Sequence, residues 1–289
     1  MNYILSVIIL IIIYSLLSAG LNLIMGFGGI FNMGHGGFFA VGAYAGALIY
    51  THLQMPFFAE LLLAGLIAAL FGLLLSLTAI RLKGDYITFS TFGFAIVIHT
   101  IANNWVAVTN GPVGIAGLMR PVIFGIPLNS LWRYMILCLV ICAACLLIIY
   151  RIVRSPYGES IEAMREDETA AYASGIDVVA VRVQIFCTGA FFAGIAGVLF
   201  IHYLMLCDPT SFTFSTSSLL VCMVIIGGMG SIKGSIAGVV LVIGLPQILS
   251  FVGLPGAYAR EQAQNIIYSL VLILIVITRP QGMFGKLKF

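Results

Sequence analysis

From Tyr3 to Met25 the chain runs without a charged residue, and stretches of this kind recur to its end. Apolar segments lie near 3–25, 33–53, 57–80, 86–108, 131–150, 183–205, 216–229, 234–252 and 263–279. Most approach the roughly 20 apolar residues that a helix needs to cross a hydrocarbon core about 30 Å thick. Backbone in lipid must satisfy its own hydrogen bonds, so such segments become helices. The expectation is an all-α fold: a polytopic transmembrane bundle of about 8–9 segments, with residues 1–289 forming one integral-membrane domain. Composition agrees, because only 8% of the chain is charged against about 25% in a soluble domain. The 216–229 segment is too short to span unless tilted, so it reads as a candidate re-entrant element. The first segment lacks a basic leader and a convincing cleavage site, and it reads as a retained helix.

One stretch breaks the apolar pattern. Arg151 to Arg182 holds four arginines and six of the chain's 10 acidic residues, with long apolar runs on both sides. A segment this polar belongs in water. It also predicts one short helix. Ser155 is an N-cap residue type, Pro156 suits the first helical position, and Gly175 suits the left-handed residue that ends a helix. Tyr157, Ile161, Met164 and Tyr172 fall on one face, and acidic residues crowd the other. A short amphipathic helix with nothing of its own to cover that face either lies on lipid headgroups or docks into another protein. Surface-lying helices usually carry Lys or Arg on the polar face. The acidic face here favours a protein groove; an ordinary solvated loop is the plainer alternative.

Orientation is read from Lys and Arg, which collect on cytosolic connections. Arg81 and Lys83, the four central arginines, Lys233, and Arg279, Lys286 and Lys288 all fall on one side under strict alternation. The same alternation puts the N-terminus outside.

Three further features stand out. The stretch from Gly26 to Gly37 (Gly26, Gly28, Gly29, Gly34, Gly36, Gly37) interrupts the first two apolar segments. Glycines weaken a helix and let backbones approach, so the stretch is either a broken helix beside a solute route or a tight turn. Gly42 and Gly46 continue as a small-residue face. In Tyr86 to Asn104, residues Thr88, Thr91, Ala95, His99 and Asn103 form one helical stripe. Polar residues there line a pathway or clasp a neighbouring helix. Gly230, Gly234 and Gly238 stand at GxxxG spacing after a tight turn. No metal-ligand spacing, nucleotide loop or catalytic constellation is present in the sequence, so an enzyme is not expected. Membrane carboxylates are almost absent, which speaks against a self-contained ion-coupled transporter.

Together these residues suggest a family. SPYGESIEAMREDETAAYASGID resembles the cytosolic loop of branched-chain amino acid ABC transporter permeases of the LivM type. LNLIMGFGGIFNMGHGGFFAVGAY, RLKGDYITFSTFGF with ANNW and TNGPVGI, GGMGSIKGSIAGVVL and RPQGMFG resemble other parts of the same proteins, from about Leu21 to Gly285. The resemblance implies a bacterial inner-membrane importer subunit. Its pore would be shared with a homologous second permease. Two ATP-binding cassette subunits would hold the ATP and magnesium, leaving no cofactor in this chain, and an extracytoplasmic solute-binding protein would deliver the solute. Nucleic acid has no place in it. The helix Ser155–Gly175, with Gly158, Glu162, Arg165, Glu166, Asp167 and Glu168, would be the coupling helix seated on the ATPase. Where many members resemble GFGEIIRLVANN, this chain has Ile96 and His99 in place of the Glu and Arg. Permeases for urea or short amides look similar, so the solute stays open between these classes.

Overall fold

The computed structural model describes residues 2–80, 82, 84–123, 125–251, 269, 270, 273, 277 and 282–285. Most of the segment expected at 263–279 lies outside the described residues, as do Arg81, Lys83, Arg260, Arg279, Lys286 and Lys288. The helices are α1 (Asn2–Asn22), α2 (His35–Leu48), α3 (Phe57–Ala79), α4 (Asp85–Asn104), α5 (Val106–Thr109), α6 (Leu131–Val153), α7 (Pro156–Glu166), α8 (Glu168–Ala173), α9 (Val178–Leu204), α10 (Phe214–Gly227) and α11 (Ile232–Phe251). Two minimal antiparallel ladders lie outside this helical pattern: β1 (Ile115–Ala116) with β4 (Leu206–Cys207), and β2 (Val122–Ile123) with β3 (Ile126–Pro127).

Five helices among the described residues are long and apolar enough to cross a membrane: Tyr3–Phe27, Phe57–Thr78, Asp85–Asn104, Leu131–Val153 and Val178–Leu204. The protein is a multi-pass helical membrane protein. α10 has 14 residues and rises only about 21 Å, short of a core of about 30 Å; α2 continues without a break through a π-helical stretch, Ile49–Leu53.

The 27-residue α9 is the axis of the bundle and is buried along most of its length. α1, α2, α3, α6 and α7 all contact it. Small residues make this possible. A Cβ on Gly42 would lie 2.7 Å from the Gly194 carbonyl oxygen, and one on Gly197 would lie 2.6 Å from that of Phe39. In lipid there is no hydrophobic drive between helices, so close backbone contact supplies the association. The opposite face of α3 leaves Leu62, Leu66, Leu70, Leu74 and Leu77 half exposed, a surface suited to hydrocarbon.

α10 and α11 form a hairpin around residues 228–231. Gly228 and Gly230 take positive φ there, while Gly234 and Gly238 on α11 press against Gly227 and Met223 of α10. The expected GxxxG stripe therefore shortens. Gly230 belongs to the turn, not to the packed face, and it approaches Gly26 instead.

Candidate functional site

The polar stretch forms two helices where one was expected. α7 stops at Glu166, and Asp167 turns extended at φ −155° and ψ 108°. Its carboxylate accepts from the N–H groups of Thr169 at 2.8 Å and Ala170 at 3.1 Å, capping α8. Those two donors, Ala170 foremost, hold its pKa below the ordinary carboxylate range. At the other end Gly175, at φ +85°, closes α8 as anticipated. Ile176 N–H reaches Ala171 O, and Gly175 N–H reaches Tyr172 O, the reciprocal pair of a left-handed helix stop. Ser155 occupies the N-cap position of α7 without side-chain capping; its hydroxyl donates back to Ile152 O at 2.7 Å.

The expected apolar face is also revised. Ile161 and Met164 are buried, each stabilising the contact by about 1.5–3 kcal/mol. They are buried by this chain's own α6, α9 and the end of α1, not left open. Tyr157 is half-buried, and Tyr172 is 75% exposed. The break at Asp167 rephases the second helix, so Ala171 turns inward where Tyr172 was expected. Gly158 packs under the last turn of α6, where a Cβ would lie 2.9 Å from Ile152 O. A bulky residue there would dislodge α7 from its own chain before meeting any partner. What α7 and α8 present outward is polar: Glu159, Glu162, Glu166, Asp167 and Glu168 are all exposed. Glu168 is paired with the buried Arg182 of α9, which fastens α8 from behind.

Behind this projection lies the glycine-rich stretch. α1 ends in a wider π-turn, Leu23–Phe27, and an irregular run to Gly34 precedes α2. The run is largely buried, so its backbone needs partners. Met33 N–H donates to Thr91 Oγ1 at 3.1 Å, Gly34 N–H to Asn32 Oδ1 at 2.8 Å, and Thr88 Oγ1 donates to Phe31 O at 3.4 Å. Gly36 N–H, in the first turn of α2, donates to Ser217 Oγ at 3.2 Å, in the first turn of α10. α2 and α10 thus begin side by side within the bundle. The glycine stretch leaves a complete span, Tyr3–Phe27, and passes by an irregular run into α2.

These contacts sort the α4 stripe. Thr91 is fully buried, its hydroxyl donating to Thr88 O at 2.9 Å while accepting from Met33; it clasps the glycine-rich run. Thr88 is half-buried at the same seam. His99 and Asn103 are partly exposed further along α4 and make no side-chain hydrogen bond to another described residue. A cleft of about 460 Å³ opens beside Thr88, between Gly28–Phe31, Gly84–Asp85 and the end of α7.

Two features escaped the sequence reading. The polar run Ser211 to Ser218 brings Phe214 and Ser215 to the surface, and Phe214 meets Phe92 of α4 edge to face with ring centres 4.8 Å apart. Phe31, Thr88, Phe92, Phe214 and Ser215 therefore line one continuous strip at the level of the glycine-rich run. The other is a buried pair. Glu60 of α3 and His202 of α9 meet at 2.8 Å, both essentially inaccessible. His202 Nδ1 lies 2.6 Å from Met119 O.

Residues 3–276 match the family described as "Branched-chain amino acid transport system / permease component". The chain is 32% identical to the high-affinity branched-chain amino acid transport system permease protein LivM of Salmonella typhimurium, over 94% of this chain and 67% of that protein. It is 23% identical to the probable branched-chain amino acid transport permease protein LivM of Methanocaldococcus jannaschii, over 95% of this chain and 91% of that one. The related permease LivH of Salmonella typhimurium is 25% identical, over 94% and 91%. No solved structure matches the chain. The family match over residues 3–276 and 32% identity over 94% of the chain show that this chain belongs to the permease-component family of branched-chain amino acid transport systems.

Proposed function

We propose that this chain is the LivM-type permease subunit of an ATP-driven importer and forms half of the pore for branched-chain, hydrophobic amino acids. α7 and α8 are the coupling element, seated on a cytosolic ATPase. The observation that carries this reading is their setting. They project as a polar pair, fixed to the bundle through Ile161, Met164 and Arg182, and offer acidic side chains outward. A solvated loop needs no such anchorage. A second, related permease completes the pore, as the likeness to both LivM and LivH supports. Two ATPase subunits bind the nucleotide and magnesium, and an extracytoplasmic binding protein delivers the solute. The apolar helices, with the 263–279 segment, form a single domain of about 8–9 membrane segments in the bacterial cytoplasmic membrane. The strip from Phe31 to Ser215 and the partly open His99 and Asn103 face the pathway.

A second reading keeps the architecture and changes the cargo to urea or a short amide. Ile96 and His99, in place of the charge pair that the resemblance expects, leave the solute open to it. Uptake into vesicles holding the full assembly separates the two. ATP-dependent accumulation of labelled leucine, displaced by excess valine and indifferent to urea and acetamide, is expected. Uptake of urea or acetamide that leucine does not displace would support the second reading. Uptake by this chain alone, without ATP, would overturn both.

A further inference from the structure

We infer that Arg165 is the positioning residue that carries movement of α7 into the glycine-rich run after α1 and the α10–α11 turn. This rests on the reading of α7 and α8 as the ATPase-docking element. Arg165, which the resemblance groups with the docking residues, differs from its neighbours on α7: its side chain is only 15% exposed and runs inward, off the outward acidic face. Its Nη1 donates to Gly26 O at 3.3 Å, within the π-turn that ends α1. Its stem lies so close over Gly29 that a Cβ there would sit 2.6 Å from Arg165 Cγ. On the α7 side its Nη2 is held by Glu162 at 3.2 Å, with Glu166 at 4.0 Å. The side chain is thus fixed at its base by its own helix and at its tip by backbone of the glycine-rich stretch.

The tip sits at a junction. Asn22 joins the end of α1 to the hairpin turn, accepting from Gly230 N–H at 3.0 Å and donating to Ser231 O at 2.9 Å. Gly230 itself approaches Arg165 Nη1 closely enough that a Cβ there would lie 3.7 Å away. α10 ends at this junction, and the glycine run that leads into α2 leaves from it. The glycine run leads from Gly29 to α2, and α10 leads back from the turn to Ser217, where the two helices meet. Displacing α7 displaces Gly26, Gly29 and the turn together, and through them the strip proposed to face solute. An exposed ion pair alone would transmit little. The backbone contacts and the rigid short elements beyond them make this arginine different, and a lysine, with one compact charge and no planar fork, reproduces them only in part.

The test is the full assembly carrying Arg165→Ala or Arg165→Lys, measured for three things: ATPase subunits retained on purification, ATP hydrolysis, and solute taken up per ATP hydrolysed. The inference expects Arg165→Ala to keep its ATPase subunits and hydrolysis. Uptake per ATP should fall by about tenfold or more, as loss of a charged hydrogen bond to buried backbone implies, with Arg165→Lys in between. Unchanged uptake per ATP in Arg165→Ala would overturn it. So would loss of the ATPase subunits, because Arg165 would then act in docking, and so would failure of both variants to insert, because it would then be a folding clamp. If the unsubstituted chain retains no ATPase subunit, the docking reading falls, and this inference falls with it.

Discussion

The pair Glu60–His202 is the clearest case where single residues decide an outcome. A carbonyl oxygen only accepts, so the 2.6 Å contact with Met119 O puts a proton on His202 Nδ1. The 2.8 Å contact between Nε2 and Glu60 then holds one further proton between two buried groups. The pair is net neutral whichever partner carries that proton. It joins α3, α9 and the loop carrying Met119 at the end of the bundle away from α7. His202→Leu should strand Glu60 without its partner and destabilise the protein by about 3–5 kcal/mol. Replacing both, as Glu60→Leu with His202→Phe, should cost clearly less. Thermal unfolding in detergent reads both, and a double variant as damaged as the single one would contradict the account. Nothing local in the sequence announces the pair. Its members stand 142 residues apart, one near the start of an apolar run and one near the end of another. The expectation that carboxylates barely enter the membrane segments misses the one that is paired.

At the scale of elements, the break at Asp167 sets what α7 and α8 display. Residue pattern alone favours one continuous helix, since Arg165 to Ala171 contains no glycine or proline. Aspartate competes by capping: short acidic side chains bond nearby N–H groups better at a helix start than in its middle. Asp167→Ala should fray α8 and speed hydrogen exchange at Thr169 and Ala170, while Asp167→Asn should preserve protection. Because folding lowers this carboxyl's pKa, its contribution is complete above the ordinary value of 3.8 and is lost as pH falls through the lowered one. Exchange protection of those two amides should therefore persist at neutral pH and fade in acid. Equal exchange in Asp167→Ala and the unsubstituted chain would contradict the cap. The C-terminal stop at Gly175 was legible because a positive φ selects glycine there. The rephasing of Tyr172 was not, because it follows from the break.

For the whole molecule, apolar segment length foretold a polytopic helical bundle, and the glycine runs foretold close packing. Their partners were less visible. The spacing of Gly189, Ala193 and Gly197 along α9 was available in the sequence, yet only the folded chain shows α9 as the axis on which Gly42 and its neighbours pack. The coupling stretch stood out through its charge. Its anchorage did not, because its apolar face is covered by helices distant in sequence. This anchorage narrows the proposal: the side of α7 and α8 proposed to meet the ATPase is the exposed acidic one, not the apolar one. Co-expression and affinity purification in mild detergent test it most directly, using the tagged chain and a variant with Glu159→Lys and Glu166→Lys. The account predicts that ATPase subunits and a second permease accompany the unsubstituted chain, and that the variant keeps the permease but loses the ATPase. A chain that purifies alone, stable and without ATPase activity, or a variant that retains the ATPase in full, would contradict it.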